Sequence, residues 1–219
     1  MKKILMSALL SGAACLLLIA AAPAHAADSY YNTDVARDGS FNGPYLGGTV
    51  NYNWTNGEAT RTGVGSTDNI DMNGAEGGVL VGYGWQFDPS FLSSIWSGYT
   101  ALELSYDWNG SNNDTALGTN FNKDESMMLS LRPGFTWGNQ ALGYGILGYS
   151  RGQFSVGGDE KWLDGYSLGL GTELAVVGPF KTRIEYVYTN YSEDNFNTGT
   201  NTNFNPHDNA LKLGAVFHF

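Results

Sequence analysis

Nine charged residues set the terms on which this chain could do chemistry: Glu103, Asp107, Glu173 and Glu185 against Arg132, Arg151, Lys181, Arg183 and Lys212. Each falls on the polar parity of a segment in which polar and apolar residues alternate, so all nine are expected on one side of whatever those segments build. A carboxylate pair for acid–base work needs two carboxyls facing each other across a substrate. Here the carboxylates meet bases instead. Glu173 and Arg183 are equidistant from Gly178 in a three-residue turn, hence directly opposed. Glu103 and Arg132 lie at similar depth on neighbouring segments, and Glu185 can reach Lys212. With five bases against four acids the set is close to neutral and is expected to form ion pairs. Beyond residue 26 the histidines are His207 and His218, and neither has a serine two residues away. The only cysteine, Cys15, lies in the leader described below, so thiol chemistry is excluded. Asp107-x-Asn109-Gly110-Ser111 with Asp114 loosely follows a calcium-loop pattern, but its glycine is displaced and the closing glutamate is missing. No catalytic residue, metal site or cofactor is expected.

The elements that position these charges are strands. The alternation predicts eight: Pro44–Trp54, Gly77–Phe87, Tyr99–Trp108, Ser126–Trp137, Ala141–Phe154, Asp164–Val176, Phe180–Tyr191 and a terminal strand through Lys212–Phe219. The third is the best patterned, with Thr100, Leu102, Leu104, Tyr106 and Trp108 opposing Tyr99, Ala101, Glu103, Ser105 and Asp107. The fifth is glycine-rich and less decisive; Leu142, Tyr144, Ile146 and Phe154 are assigned to the apolar face, Arg151 and Gln153 to the polar one. Pro133 inside the fourth cannot donate to a ladder, and a bulge is expected there. A terminal strand in an open sheet exposes an unpaired edge, whereas a closed barrel has none.

The start of the chain assigns the compartment. Met1-Lys2-Lys3 is basic, Ile4 to Ala22 is apolar, and Ala24-His25-Ala26 is a small-x-small cleavage site, so residues 1–26 read as a secretory signal peptide. Pro23 and the cleavage site favour removal over an uncleaved anchor. Gly12, where a lipoprotein signal would carry leucine, argues against lipidation of Cys15. Residues 27–42 are polar and aperiodic, a short disordered lead, and 43–219 form the barrel. Beyond residue 26 the chain keeps all 21 acidic residues but loses Lys2 and Lys3 from its 11 bases, a formal charge of −12, which disfavours nucleic acid as a partner.

Two regularities exceed what a water-soluble barrel needs. The connections alternate long and short, with 88–98 the exception, as in barrels with long external loops and short periplasmic turns. Charges also avoid the apolar parity, which carries only Asp164, at an outer end. A mid-depth Arg or Lys on a lipid face costs ~2–4 kcal/mol, so lipid exposure selects for this segregation. Trp54, Trp108, Phe154, Tyr166 and Tyr188 at one end, and Trp85, Phe87, Trp137, Tyr144, Phe180 and Phe219 at the other, are expected to form two interfacial girdles. A soluble lipocalin-like barrel would turn its apolar face inward and would not need girdles.

Gly43-Pro-Tyr-Leu-Gly-Gly-Thr-Val-Asn-Tyr-Asn-Trp54, Gly77-Gly-Val-Leu-Val-Gly-Tyr-Gly-Trp-Gln86, Lys181-Thr-Arg-Ile-Glu-Tyr-Val-Tyr188 and the terminal strand together resemble the small surface-antigen barrels of alphaproteobacteria, the porin-family or opacity-like proteins. They are also similar to the transmembrane part of OmpA, with no peptidoglycan-binding domain expected after the last strand. The resemblance implies an all-β, eight-stranded, antiparallel up-and-down transmembrane barrel in the outer membrane of a Gram-negative bacterium. It implies a non-enzymatic surface protein serving membrane integrity, antigenicity or adhesion, with a narrow porin-like channel for small solutes as the alternative. The partners implied are outer-membrane lipids and lipopolysaccharide, the barrel assembly machinery and periplasmic chaperones; an external ligand stays open. Lys212-x-Gly214-x-x-Phe217-x-Phe219 resembles the C-terminal signal such barrels present to that machinery. Four long external loops are expected to hold most of the excess negative charge: Glu58, Asp68, Asp71 and Glu76 with Arg61; Asp114, Asp124 and Glu125 with Lys123; Asp159 and Glu160 with Lys161; and Glu193, Asp194 and Asp208.

If the terminal aromatic is read as a signal, deleting Phe219 or changing it to Asp impairs assembly in cells far more than refolding into detergent. To the finished barrel Phe219 contributes one interfacial side chain, worth about 1–3 kcal/mol. Outer-membrane yield set beside refolding yield checks this, and equal losses in both would exclude the signal.

Overall fold

The computed structural model describes residues 41–61, 66–87, 96–111, 114–116, 119–138, 140–197 and 201–219; the signal peptide and most of the expected lead lie outside them. The strands are β1 (Gly43–Arg61), β2 (Ser66–Phe87), β3 (Trp96–Ser111), β4 (Asp114–Ala116), β5 (Thr119–Leu131), β6 (Gly134–Trp137), β7 (Ala141–Val156), β8 (Asp159–Val177), β9 (Phe180–Tyr191), β10 (Asp194–Asn197) and β11 (Asn201–His218). All pairings are antiparallel, from β1–β2 through β8–β9 to β9–β11, and β11 returns to β1 from Tyr45↔His218 to Arg61↔Thr202. With β5 and β6 forming one stave, and β4 and β10 as short ribs on β5 and β11, this is a closed eight-stranded barrel. Closure gives every stave two neighbours and removes the sheet edge.

The expected parity holds on seven staves. Leu46, Val81, Leu104, Leu129, Leu170, Ile184 and Leu213 face outward, while Tyr45, Glu103, Arg132, Glu173 and Arg183 are buried in the lumen. Outward aromatics gather at both ends of this band. Tyr52 with Trp54 and Tyr106 with Trp108 mark the outer end; Tyr83 with Trp85, Trp96 stacked on Trp137 at 5.1 Å, and Phe180, Phe217 and Phe219 mark the turn end.

The structure differs from the sequence reading in four respects. On β7 the faces are exchanged: Leu142, Tyr144, Ile146 and Phe154 fill the lumen, and Arg151 lies outside, paired with Asp164 at 2.7 Å. Tyr144 and Phe154 therefore leave the girdles, and Arg151 leaves the lumenal set. This stave alternates apolar residues with glycine and small residues, so polarity does not label its faces. Pro133 forms no bulge, because the register against β3 and β7 is the same on both sides of it, and its carbonyl accepts from Gly145 N at 2.8 Å. The irregularities fall at Lys123/Glu125 and Ala175/Val177 instead.

Thirdly, several staves run well past the expected ends. Residues 55–61 and 66–76, read as a loop, are paired strand from Thr55↔Met72 to Arg61↔Ser66. Between β7 and β8 only Gly157 and Gly158 remain, both with φ in the left-handed region (60° and 93°), as a tight two-residue hairpin demands. Along these extensions the burial pattern turns over: Ile70, Met72, Phe121, Phe154, Val156, Leu163, Phe196 and Phe204 are buried inside, and Glu58, Asn69, Asp71 and Asn73 are exposed outside. Water surrounds this part of the wall, so polar residues move outward and a small apolar core replaces the polar lumen. Lastly, Phe41, assigned to the disordered lead, is fully buried at the turn end against Tyr99 and His218, with Lys181 Nζ 4.8 Å from its ring centre.

A ladder without a free edge opens slowly. The refolded protein is expected to keep a folded, faster-migrating band in SDS until boiled, and identical mobility with and without heating would argue against the closed ladder.

Candidate functional site

Strand parity sends the charges inward, and closure brings opposite walls within reach of each other. The lower tier is built on two guanidinium groups. Arg183, on β9, reaches across the lumen to Glu103 Oε2 on β3 at 2.6 Å, meets Glu173 Oε1 on β8 at 2.5 Å, and approaches Glu185 Oε1 at 3.4 Å. Arg132, following β5, binds Glu103 Oε1 at 2.5 Å and donates to Glu185 Oε1 from Nη1. Tyr45 donates to Glu103 at 2.9 Å and Tyr144 to Glu185 at 2.6 Å, while His218 Nε2 lies 3.2 Å from Glu173. Both guanidinium groups lie over the Tyr144 ring, at 5.3 and 5.8 Å from its centre. These two arginines are 1% exposed. Glycines make room for the rings: a Cβ on Gly171 would come 2.6 Å from Tyr144, and one on Gly82 would meet Tyr45.

The upper tier pairs Lys212 Nζ with Asp107 Oδ2 and Lys123 Nζ with Asp208 Oδ2, both at 2.6 Å, and places Glu76 3.5 Å from Lys123. Asn51 donates to Asp107 at 2.7 Å and Thr55 to Asp208 at 2.9 Å. Above lies the apolar cluster of Phe121, Phe154, Phe204 and their neighbours.

Of the pairs expected from sequence, Glu103–Arg132 and Glu173–Arg183 meet. Glu185 and Lys212 are cross-strand partners in register, but their side chains part, Glu185 to the arginines and Lys212 to Asp107. Glu76, Lys123 and Asp208, assigned to external loops, are buried lumenal groups. Glu76 and Asp208 continue the inward parity of β2 and β11, which sequence inspection could have followed further. Lys123 could not be found that way. The irregularity after it shifts the inward set of β5 from Phe121 and Lys123 to Ser126, Met128 and Ser130. Arg151 is half exposed on the outer wall, 5.9 Å from the Trp162 ring centre. Of the residues resembling the assembly signal, Lys212 is inside, Gly214 faces Arg183 across the β9–β11 ladder, and Phe217 and Phe219 pack edge to face on the outside at 5.0 Å.

Every described buried carboxylate has a cationic or donor partner, so the arrangement is suited to filling and cross-bracing the barrel. Loss of Arg183 takes a cation from three carboxylates, whereas loss of Glu173 leaves Arg183 paired with Glu103 and Glu185. Removing one partner of a buried pair costs roughly 3–5 kcal/mol. Arg183→Ala is therefore expected to cost more than Glu173→Ala, and the double variant less than the sum of the two, as urea unfolding in micelles reads directly. Small, additive losses would mean that these charges are wet and weakly coupled.

Comparison with known proteins agrees with this architecture. Residues 12–219 match the family model described as the outer membrane protein beta-barrel domain. A 22 kDa outer membrane protein of Rhizobium leguminosarum bv. viciae is 29% identical over 195 residues, covering 83% of this chain and 79% of that one. Among solved structures, OprG of Pseudomonas aeruginosa is similar at TM-score 0.47 and 13% identity over 83% of this chain and 99% of its own. Neisserial surface protein A gives 0.46 and 18% over 78% and 97%. Ail of Yersinia pestis, solved with the heparin analogue sucrose octasulfate, gives 0.44 and 12% over 80% and 99%. The chain is a β-barrel of the bacterial outer membrane and belongs to the outer membrane protein beta-barrel domain family.

Proposed function

We propose that this is a non-enzymatic surface barrel whose closed wall anchors a rigid, acidic external rim, in the service of membrane integrity or adhesion. The observation that carries the reading is the filled interior. Two tiers of paired charge and an apolar plug lie in series along the lumen, with Arg132, Arg183, Phe121 and Phe204 at 1% exposure or less. An eight-stranded barrel is just wide enough for its side chains to fill it. The rim is the other support: Glu58, Asp71 and Glu160 are exposed on the outer end of paired strands, with Asn69, Asn73 and Asn205 among them, and Glu193 is exposed in the link between β9 and β10. Such a rim can take divalent cations and bridge them to lipopolysaccharide phosphates, or present a fixed surface to another cell. On this reading lipopolysaccharide and the outer leaflet are its partners, and Phe217 and Phe219 are recognised by the assembly machinery and accompanying chaperones.

The porin-like alternative is the other outcome of one experiment. Planar-bilayer recording of the refolded protein is expected to show little steady conductance, and Arg183→Ala, which opens only the lower tier, is expected to stay closed because the upper tier and the apolar plug remain in series with it. A large steady conductance in the unaltered protein would overturn the closed-lumen reading in favour of a channel.

A further inference from the structure

At the level of the outer aromatic girdle the outside of the wall has two kinds of surface. Across β3, β5 and β7 it is charged: Tyr106 donates to Glu125, and Arg151 pairs with Asp164 of β8. Across β9, β11 and β1 the outward residues at the same level include no Asp, Glu, Lys or Arg. Ladder register there sets aromatic rings beside side-chain amides. Tyr188 stands opposite Asn209 and Asn209 opposite Trp54, while one step further out Asn190 stands between Tyr166 and His207. Tyr186 donates to Asn209 Oδ1 at 2.7 Å, which leaves the Asn209 amide nitrogen as a donor. Asn190 donates to the Tyr166 hydroxyl at 2.9 Å, which leaves its own Oδ1 as an acceptor. Trp54, Tyr166 and Tyr186 are 40–55% exposed, so their faces are open to a ligand. Directly towards the membrane lie Ile184, Leu211 and Leu213 of the lipid-facing band. The patch therefore continues the lipid interface and faces sideways into the leaflet, level with its headgroups. A girdle of rings alone would not call for amides in register between them. Phosphate would call for a cation, which this face lacks. Rings that cover the C–H face of a pyranose, with amides that pair with its hydroxyls, suit a neutral sugar.

We propose that the β9–β11–β1 face binds the neutral core sugars of a lipopolysaccharide molecule in the same leaflet, with sugar rings against Trp54 and Tyr188 and sugar hydroxyls on Asn209 and Asn190. The inference rests on the reading of lipopolysaccharide as a partner and adds a contact on the wall whose chemistry differs from cation bridging at the acidic rim. It needs no divalent ion. The ladder holds Tyr188, Asn209 and Trp54 on adjacent staves roughly 5 Å apart, so the site is ordered before the sugar arrives and little freedom is lost on binding. A ligand held by the folded wall and not by the unfolded chain stabilises the barrel.

The test refolds the full mature protein into mixed micelles and times its unfolding in urea. The micelles carry either lipopolysaccharide with a complete core or the same lipopolysaccharide stripped of core sugars, which keeps its acyl chains and their backbone phosphates. Each is run with magnesium and with EDTA. The complete form is expected to slow unfolding at least tenfold relative to the stripped form, equally in magnesium and EDTA. Trp54→Ala and Asn209→Ala are each expected to lower that ratio at least threefold. Trp108→Ala, which removes a ring of the same girdle on the charged side, is expected to leave it unchanged. Equal unfolding in the two forms overturns the proposal; if magnesium still slows unfolding the rim reading survives, and if it does not both fall. A ratio that vanishes in EDTA also overturns the wall site and upholds the rim. A ratio lost in Arg151→Ala but kept in Asn209→Ala means that phosphate is captured on the charged side, and overturns it too. Should Trp54→Ala fail to refold, the unaltered protein and Asn209→Ala still decide.

Discussion

Every inward charge in this barrel has to find its counter-charge within the lumen, on a neighbouring stave or an opposite one, because closure removes the water that would otherwise solvate it. Hydrogen-bonding each strand to two neighbours satisfies the backbone in lipid, where nothing else could. The same closure brings β3 opposite β9 and β11, so that Glu103 meets Arg183 and Asp107 meets Lys212. Lipid selects an apolar exterior, the period-two backbone then forces polar side chains inward, and the inward set is stable only when paired. The two lower arginines suit this role because a guanidinium fork can serve several carboxylates at once, as Arg183 does with Glu103, Glu173 and Glu185.

The barrel is a single sheet exposed to two solvents. Where lipid surrounds it, Leu104, Leu129 and Ile184 face outward over a charged interior. Past the outer aromatic girdle, water surrounds the same strands. There Ile70, Phe121 and Phe204 turn inward and Asp71 and Asn73 outward. On β5 the change coincides with the irregularity between Lys123 and Glu125, which shifts the inward parity by one. The apolar plug braces the extended strands from inside, and the tight Gly157-Gly158 hairpin joins β7 to β8 directly. The external part thus extends the wall itself, and this is what makes a rigid rim reasonable.

The amino-acid sequence alone determined the fold class, the strand count and the side each residue takes on seven staves, because lipid on one face and a narrow interior on the other leave little tolerance for error in parity. It also determined local pairs: Glu173 and Arg183 oppose each other across a short turn, and counting is sufficient. It did not reveal the face order of β7, where glycine and small residues stand opposite the apolar ones and no polarity difference labels the sides. Nor did it mark the ends of the staves, since a strand whose outer face meets water carries the same Asn, Asp and Thr as a loop. Only the tertiary structure decided the cross-lumen partners. Glu185 and Lys212 are neighbours in register, yet each binds a group on another wall, because inside a closed barrel a long side chain can reach the opposite strands as well as the adjacent one. That choice depends on strand tilt, closure and the one-residue shift in β5, none of which is a property of any single segment.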